Sequence, residues 1–360
     1  MTEEEIKRLK SGLLCLGCSA TRETGESLVR DMPWFFERGF SHSVHTELFG
    51  SNIAISVSEH FSALSPYTLE KTDDGYFVTW SGGRAPISFF PRLPETGTVV
   101  DKLAKYHSRD CITLWPSSNC CYDRPGMKCR FCSLLPESDA PVPVEELAHG
   151  LELLYAKVPH SHALNFSGAT YKNPDVMADY WIALTRRLRE FYTGAISIEF
   201  APPADLGKLR EMKEAGVTNV IMNLEIADER LRSEICPGKG RITKAHYYEA
   251  YARGVELFGR GQVSSVLIAG LQPYDDIVAE CERMTAAGVF PTIMPFRPFD
   301  DSELSQVSMC DPDEYLRIAE LLGEMLRKHG LAPHLMQGCT KCGGCSLEND
   351  CYYHPAPSSR

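Results

Sequence analysis

The sequence predicts an α/β protein whose centre is a parallel sheet covered by helices. Three observations carry that expectation. Between Cys111 and Phe296, six short apolar runs rich in β-branched residues alternate with helical stretches. Strands buried on both faces read as such continuous runs, unlike the alternating pattern of half-exposed strands. The longest cysteine-bearing loop follows directly on the first run, and a second cysteine group closes the chain. Right-handed crossovers between such units build either a doubly wound sheet or an open barrel, and periodicity leaves both open.

Taken in order, residues 1–105 read as a β-rich lead-in. Glu3–Leu14 is a short helix. Cys15 and Cys18 are spaced like a redox or metal pair, but no second pair lies nearby, so they read as ordinary buried thiols. From His42 to Val99 short β-like runs (NIAISVS, GYFVTWS, APISFF) are broken by Gly, Pro and Asp. Residues 106–330 hold the alternating units. Strands are expected at Cys111–Trp115, His162–Gly168, Ala195–Phe200, Thr218–Glu225, Gln262–Gly270 and Val289–Phe296. Helices are expected at Val144–Val158, Pro174–Phe191, Ala204–Ala215 (ending at Gly216), up to Phe258, at Tyr274–Ala287 and at Pro312–His329. Residues 331–360 form a cysteine-rich tail.

Composition narrows the class. The chain has 360 residues, 43% hydrophobic and 24% charged, as in ordinary globular proteins. Lys plus Arg number 37 against 48 Asp plus Glu, a net charge of −11, which gives nucleic acid no general attraction. The charged start MTEEEIKRLK and the lack of any long apolar stretch predict neither signal peptide nor membrane span. The 14 Cys then read as metal ligands and thiols of a reducing, cytoplasmic compartment.

The stretch Asn119–Leu134, NCCYDRPGMKCRFCSL, concentrates the chemistry. Cys129 and Cys132 are close enough in sequence to face one metal centre, and Pro125 and Gly126 let the loop bring a third cysteine back. Three thiolates can hold three irons of a four-iron cluster and leave the fourth without a protein ligand. A zinc loop, or thiols that meet no metal, are the alternatives. Adjacent side chains in an extended loop point opposite ways, so one of Cys120 and Cys121 ligates and the other packs. Cys121 is the expected ligand. In the tail, Cys339, Cys342, Cys345 and Cys351 are spaced two, two and five, with Gly343 and Gly344 permitting a tight wrap around a cluster or a zinc.

The loop resembles the cluster-binding loop of radical S-adenosylmethionine (SAM) enzymes, usually Cys-x3-Cys-x2-Cys with an aromatic residue before the last Cys. Phe131 holds that aromatic place, whereas the seven residues between Cys121 and Cys129 exceed the usual three. The resemblance implies a partial barrel of six strand–helix units with the cluster loop after the first strand. It also implies SAM contacts at successive strand ends. Ser167 and Gly168 match the glycine-rich segment that meets the SAM amino group, with Thr170 where an acidic residue is usual. Glu199, Asn223 and Glu225 match polar residues that hold the ribose or methionyl end. Ile268 and Gly270 match the segment packed on adenine, and Arg297 is a catalytic candidate placed to face a carboxylate. FGRGQVSSVLIAGL, GVFPTIMPFRP and GCTKCGGC further resemble a little-characterised radical SAM family often encoded beside a nitrilase.

The activity so implied is reductive cleavage of SAM by a [4Fe-4S] cluster, starting radical chemistry on a small molecule. An electron donor such as flavodoxin or ferredoxin is implied as partner, and the tail reads as an auxiliary [4Fe-4S] cluster. Two rivals remain: SAM cleavage with aminocarboxypropyl transfer, and a zinc-stabilised binding protein without redox chemistry.

Overall fold

The protein is described by a computed structural model over residues 1–35, 43–57, 59–135 and 138–356. His42, where the β-like stretch was expected to begin, lies outside the described residues. The first helix, α1 (Glu3–Leu16), starts at Thr2. The Thr2 hydroxyl accepts from the Glu5 amide at 3.2 Å, and the Glu5 carboxylate accepts from the Thr2 amide at 2.7 Å, a reciprocal cap. A second helix, α2 (Arg22–Asp31), was not expected from the sequence. The lead-in sheet holds β1 (Ser19–Ala20), β2 (Ser43–Leu48), β3 (Ser51–Ser56), β4 (Thr68–Thr72), β5 (Gly75–Trp80) and β6 (Gly83–Phe89). Its order is β1-β4-β5-β6-β2-β3, antiparallel except for the β1–β4 pair.

After the short helix α3 (Val100–Leu103), strand β7 (Ala104–Ser108) pairs antiparallel with β8 (Cys111–Leu114). Its sequence, AKYHS, carries no apolar run, which is why the sequence did not mark it. The units then follow: α4 (Val144–Tyr155), β9 (Ala163–Phe166), α5 (Pro174–Leu188), β10 (Ile196–Glu199), α6 (Gly207–Ala215) and β11 (Asn219–Ile221). Two helices, α7 (Glu229–Ile235) and α8 (Lys244–Phe258), lead to β12 (Val263–Ala269), α9 (Tyr274–Ala287), β13 (Phe290–Pro295) and α10 (Pro312–His329). Gly216, at φ +107°, ends α6 in the left-handed conformation that costs glycine no side-chain clash.

Strand order settles the choice that periodicity left open. The sheet runs β13-β12-β11-β10-β9-β8-β7, and β8 to β13 are all parallel. Each new strand is added on the same side. With right-handed crossovers, every helix then falls on one face, and the sheet curls into an open six-unit barrel. A doubly wound sheet would reverse direction at a switch point and carry helices on both faces. The inner face of this barrel is therefore left for something else to cover.

The tail and the lead-in cover it. The tail adds α11 (Gly338–Cys342) and α12 (Glu348–Tyr353). A side chain on Gly338 would meet Ser197 Cβ at 2.4 Å, and the Thr340 and Ser264 hydroxyls bond at 2.9 Å, so α11 closes the amino ends of β10 and β12. The Ala54 amide of β3 donates to Gly344 O at 2.7 Å, which ties the lead-in sheet to the tail. One apolar core runs from Leu9 through the barrel to Cys351. No helix among the described residues is long and apolar enough to cross a membrane.

Candidate active site

Inside the barrel lies a cavity of about 1640 Å³. Its carboxyl end is roofed by the Asn119–Leu134 loop, which leaves β8 and is strapped by backbone bonds at three points. The Cys121 amide donates to Thr170 O at 2.8 Å, Arg130 to Ile235 O at 2.8 Å, and Gly238 to Met127 O at 2.9 Å. These bonds link the loop to the segments after β9 and β11.

Cys120, Cys129 and Cys132 line the cavity, and Cys121 does not. Cys121, the expected ligand, is thus off this wall: its amide is held by Thr170 O, and Cys120 is the neighbour turned to the cavity. A hydrogen bond from the Cys121 thiol pulls Cys120 down to about 6 and pushes Cys121 up. Burial raises Cys132 to about 11, with Lys128 opposing it, and Lys239 acts on Cys120. Cys236, on the segment after α7, is buried beside Cys129, which hydrogen-bonds to it and raises its pKa.

Polar residues at successive strand ends face the same space. Phe131, Ser167, Gly168, Glu199, Asn223 and Ile268 line it, as do Glu225 and Arg297. Asn223 Nδ2 donates to Glu199 Oε1 at 2.5 Å. Burial raises the Glu199 carboxyl, and bonds from Ser167 and Asn223 work against that rise. Glu225 ends the β11 segment at φ +68°, outside the ladder, with its carboxylate 2.6 Å from Lys239 Nζ. β11 itself ends at Ile221, short of the expected strand end at Glu225, which keeps an isolated bridge to Leu267. Burial works against the Lys239 charge, yet Glu225 holds its pKa well above the usual value. Gly270 stands apart from the wall; at φ +90°, its Cβ position lies 3.0 Å from Cys310 Cα.

At the opposite end, Cys339 and Cys345 open onto the same cavity while Cys342 is buried beside them. His107 Nδ1 lies 3.1 Å from Cys342 Sγ and Nε2 lies 3.8 Å from Cys345 Sγ. Cys351 is separate: it is fully buried in the apolar core, and Lys7, Asp350, Glu320 and Glu348 are the charges acting on it. Of the four cysteines expected to form one group, Cys351 is the one that α12 carries against α10. Arg297 is buried, and burial lowers its pKa while Cys345 raises it; it donates to Ser43 Oγ at 2.8 Å and Ser56 Oγ at 3.3 Å. Both Cys345 of the tail and the Glu59 carboxylate act on it. His45, His107 and Lys239 escaped sequence reasoning, being lone residues without diagnostic spacing. Only the pairing of β7 with β8, and of β2 with β3, brings the two histidines to the cavity.

The donor set suits an iron–sulfur group at the loop. Three thiols on one wall leave one iron of a four-iron cluster without a protein ligand, and two lysines offset the thiolate charge. The buried Asn165 Oδ1, which also faces the cavity, has no hydrogen-bond partner among the described residues. Among those residues, no three His, Cys, Asp or Glu side chains are gathered as around a single metal ion.

No family model matches the sequence. Bacteriochlorophyllide c C-7(1)-hydroxylase of Chlorobaculum limnaeum is 24% identical over 371 residues, covering 91% of this chain and 86% of that protein. Among solved structures, the [FeFe]-hydrogenase maturase HydG aligns with a TM-score of 0.46 and 14% identity over 61% of this chain. The alignment spans 49% of HydG, about half its length. A radical SAM methyltransferase from Sphaerobacter thermophilus gives a TM-score of 0.46 and 15% identity, over 79% of this chain and 81% of that one. Coproporphyrinogen III oxidase (HemN) from Escherichia coli, a radical SAM enzyme, gives 0.40 and 16% over 56% and 50%. The α/β partial-barrel fold rests on the strand order above, not on these scores.

Proposed function

We propose that this chain is a radical SAM enzyme acting on a small-molecule substrate within the barrel. The observation that carries the reading is the meeting of Cys120, Cys129 and Cys132 with the Glu199, Asn223 and Glu225 strand ends on one cavity. Its volume of about 1640 Å³ exceeds the ~300–1,000 Å³ of a single drug-sized ligand site, so cofactor and substrate fit together. The similarity to a bacteriochlorophyllide hydroxylase supports an enzyme acting on an organic small molecule. The likeness of the C-terminal segments to the family encoded beside nitrilases refines the class without naming a substrate.

In this reading Cys120, Cys129 and Cys132 hold the cluster, and Phe131 packs beside it. When bound, the cluster, reduced by a donor such as flavodoxin or ferredoxin, supplies the electron that breaks a carbon–sulfur bond of SAM. Lys239 and Lys128 balance the thiolate charge. Glu199, positioned by Asn223 and Ser167, accepts from hydroxyl or amino groups of SAM, and Glu225, held by Lys239, does the same one strand later. Ile268 supplies an apolar face for a flat ring. Gly168 leaves room for close approach of the backbone: a Cβ there would already stand 3.0 Å from Ser117 O. The tail closes the amino end of the barrel and keeps water from the reacting atoms.

The test is product analysis after anaerobic reconstitution with iron and sulfide, incubation with SAM and a reductant, and chromatography. 5′-Deoxyadenosine is expected. Methylthioadenosine would indicate aminocarboxypropyl transfer instead, and a colourless protein carrying zinc and no sulfide would end the reading.

A further inference from the structure

We propose that the C-terminal segment holds a second four-iron cluster on Cys339, Cys342 and Cys345, with His107 of β7 as its fourth protein ligand. The iron counts below include four irons at the Cys120 site and so rest on that reading, whereas the histidine coupling reads the tail alone.

Four observations support it. The first is the local chain. Cys339, Cys342 and Cys345 recur every third residue through α11 and a turn at Gly343, whose φ of +64° lets the chain wrap back. Cys339 and Cys345 line one cavity, and a single imidazole, that of His107, reaches both Cys342 and Cys345. The second is the imidazole. Both His107 nitrogens are directed at these sulfurs, 3.1 Å to Cys342 and 3.8 Å to Cys345. In Rieske [2Fe-2S] centres imidazoles replace thiolates on one iron and raise the potential, and His107 would bring that ligand chemistry to a four-iron cluster.

The third is the exclusion of Cys351, the fourth cysteine that spacing suggests. A Cβ on Gly323 of α10 would stand 2.7 Å from the Cys351 carbonyl oxygen, so α12 is seated against α10 with no slack. Bringing Cys351 to the other three would pull this helix out of the core. The fourth is charge. Arg297 is buried and donates to the Ser43 and Ser56 hydroxyls, and Cys345, Cys15 and Glu59 are among the groups acting on its charge. A buried cation needs counter-charge, and of these groups Cys345 acts most strongly. An anionic cluster at the tail thiolates provides the counter-charge. His45, its ring centroid 4.2 Å from that of His107, adds a buried Nδ1 without a hydrogen-bond partner among the described residues, on the same cavity wall.

The experiment uses the full chain, reconstituted anaerobically with iron and sulfide and kept free of SAM, whose amino nitrogen would also couple to a cluster. Wild type and Cys351→Ser should both hold about eight irons, and the Cys342→Ala/Cys345→Ala variant about four. Pulsed EPR of the reduced protein should show a nitrogen hyperfine coupling that changes on ¹⁵N-histidine labelling. His107→Cys should keep the iron, lose that coupling and lower the midpoint potential of one cluster. His107→Cys keeps the proposal testable should His107→Ala fail to fold. Loss of half the iron in a folded Cys351→Ser variant overturns the assignment. So does a coupling indifferent to the label or surviving in His107→Cys, and so does zinc in place of tail iron.

Discussion

Cys120 and Cys121 are adjacent, yet one lines the cavity and the other is held outside it by its amide bond to Thr170 O. Cys120→Ala should therefore cost about four irons and all SAM cleavage, while Cys121→Ala keeps both. Iron analysis beside an activity assay decides it, and the reverse pattern would return the ligand to Cys121. Glu348 offers a second test at this scale. It is buried, accepts from the Ile293 amide, and burial raises its carboxyl from 4.5 to about 7. A folded pKa above the unfolded one favours the protonated folded chain. That contribution is complete below about pH 4.5 and is lost as pH rises through about 7. At about 1.36 kcal/mol per unit, the loss is on the order of 3 kcal/mol. Relative to wild type, Glu348→Gln should gain stability steadily from about pH 4.5 to 7 in denaturant titrations. A difference that stays flat across that range would refute the assignment.

Between elements, the contact of α10 with α12 is a close one to probe. Gly323→Ala would put its Cβ 2.7 Å from the Cys351 carbonyl oxygen and 3.0 Å from Cys351 Cβ. Overpacking of this kind costs about 1–3 kcal/mol, against the ~1 kcal/mol that alanine gains in a helix. Gly25, inside α2, has nothing within 4 Å of its Cβ position, so Gly25→Ala carries the helix gain alone. Calorimetry should show opposite signs for the two variants. Equal signs would mean that α12 is free to shift away from α10.

For the whole molecule, the open barrel leaves an inner face that no helix of its own covers. The tail and the lead-in sheet cover it, and the tail is held by short contacts such as Thr340 to Ser264 and Ala54 to Gly344. Metal binding energy is also folding energy. Stripping iron with a chelator and oxidant should therefore lower the thermal midpoint and open the tail to protease before the barrel. Mass spectrometry of the fragments locates the first cuts, and identical midpoints with and without iron would contradict this coupling.

What the sequence determined by itself is what neighbours along the chain decide. Apolar runs of strand length alternate with helical periods, so six units could be read, and Tyr274–Ala287 and Pro312–His329 were read to the residue. Cys129, Phe131 and Cys132 stood out by their own close spacing, and the polar residues from Ser167 to Glu225 by their places near strand ends that can be found locally. Tertiary structure decided the rest. Open barrel against doubly wound sheet depends on which side each strand is added, a long-range pairing that no local period encodes. Cys120 against Cys121 depends on which of two neighbours is turned inward, and a bond to Thr170 made that choice. β7 was invisible because AKYHS acquires strand structure only by pairing with β8, and His107 came to the cavity with it. Cys351 shares the tail's spacing with three other cysteines, but helix packing carries it into the core, where spacing has no say.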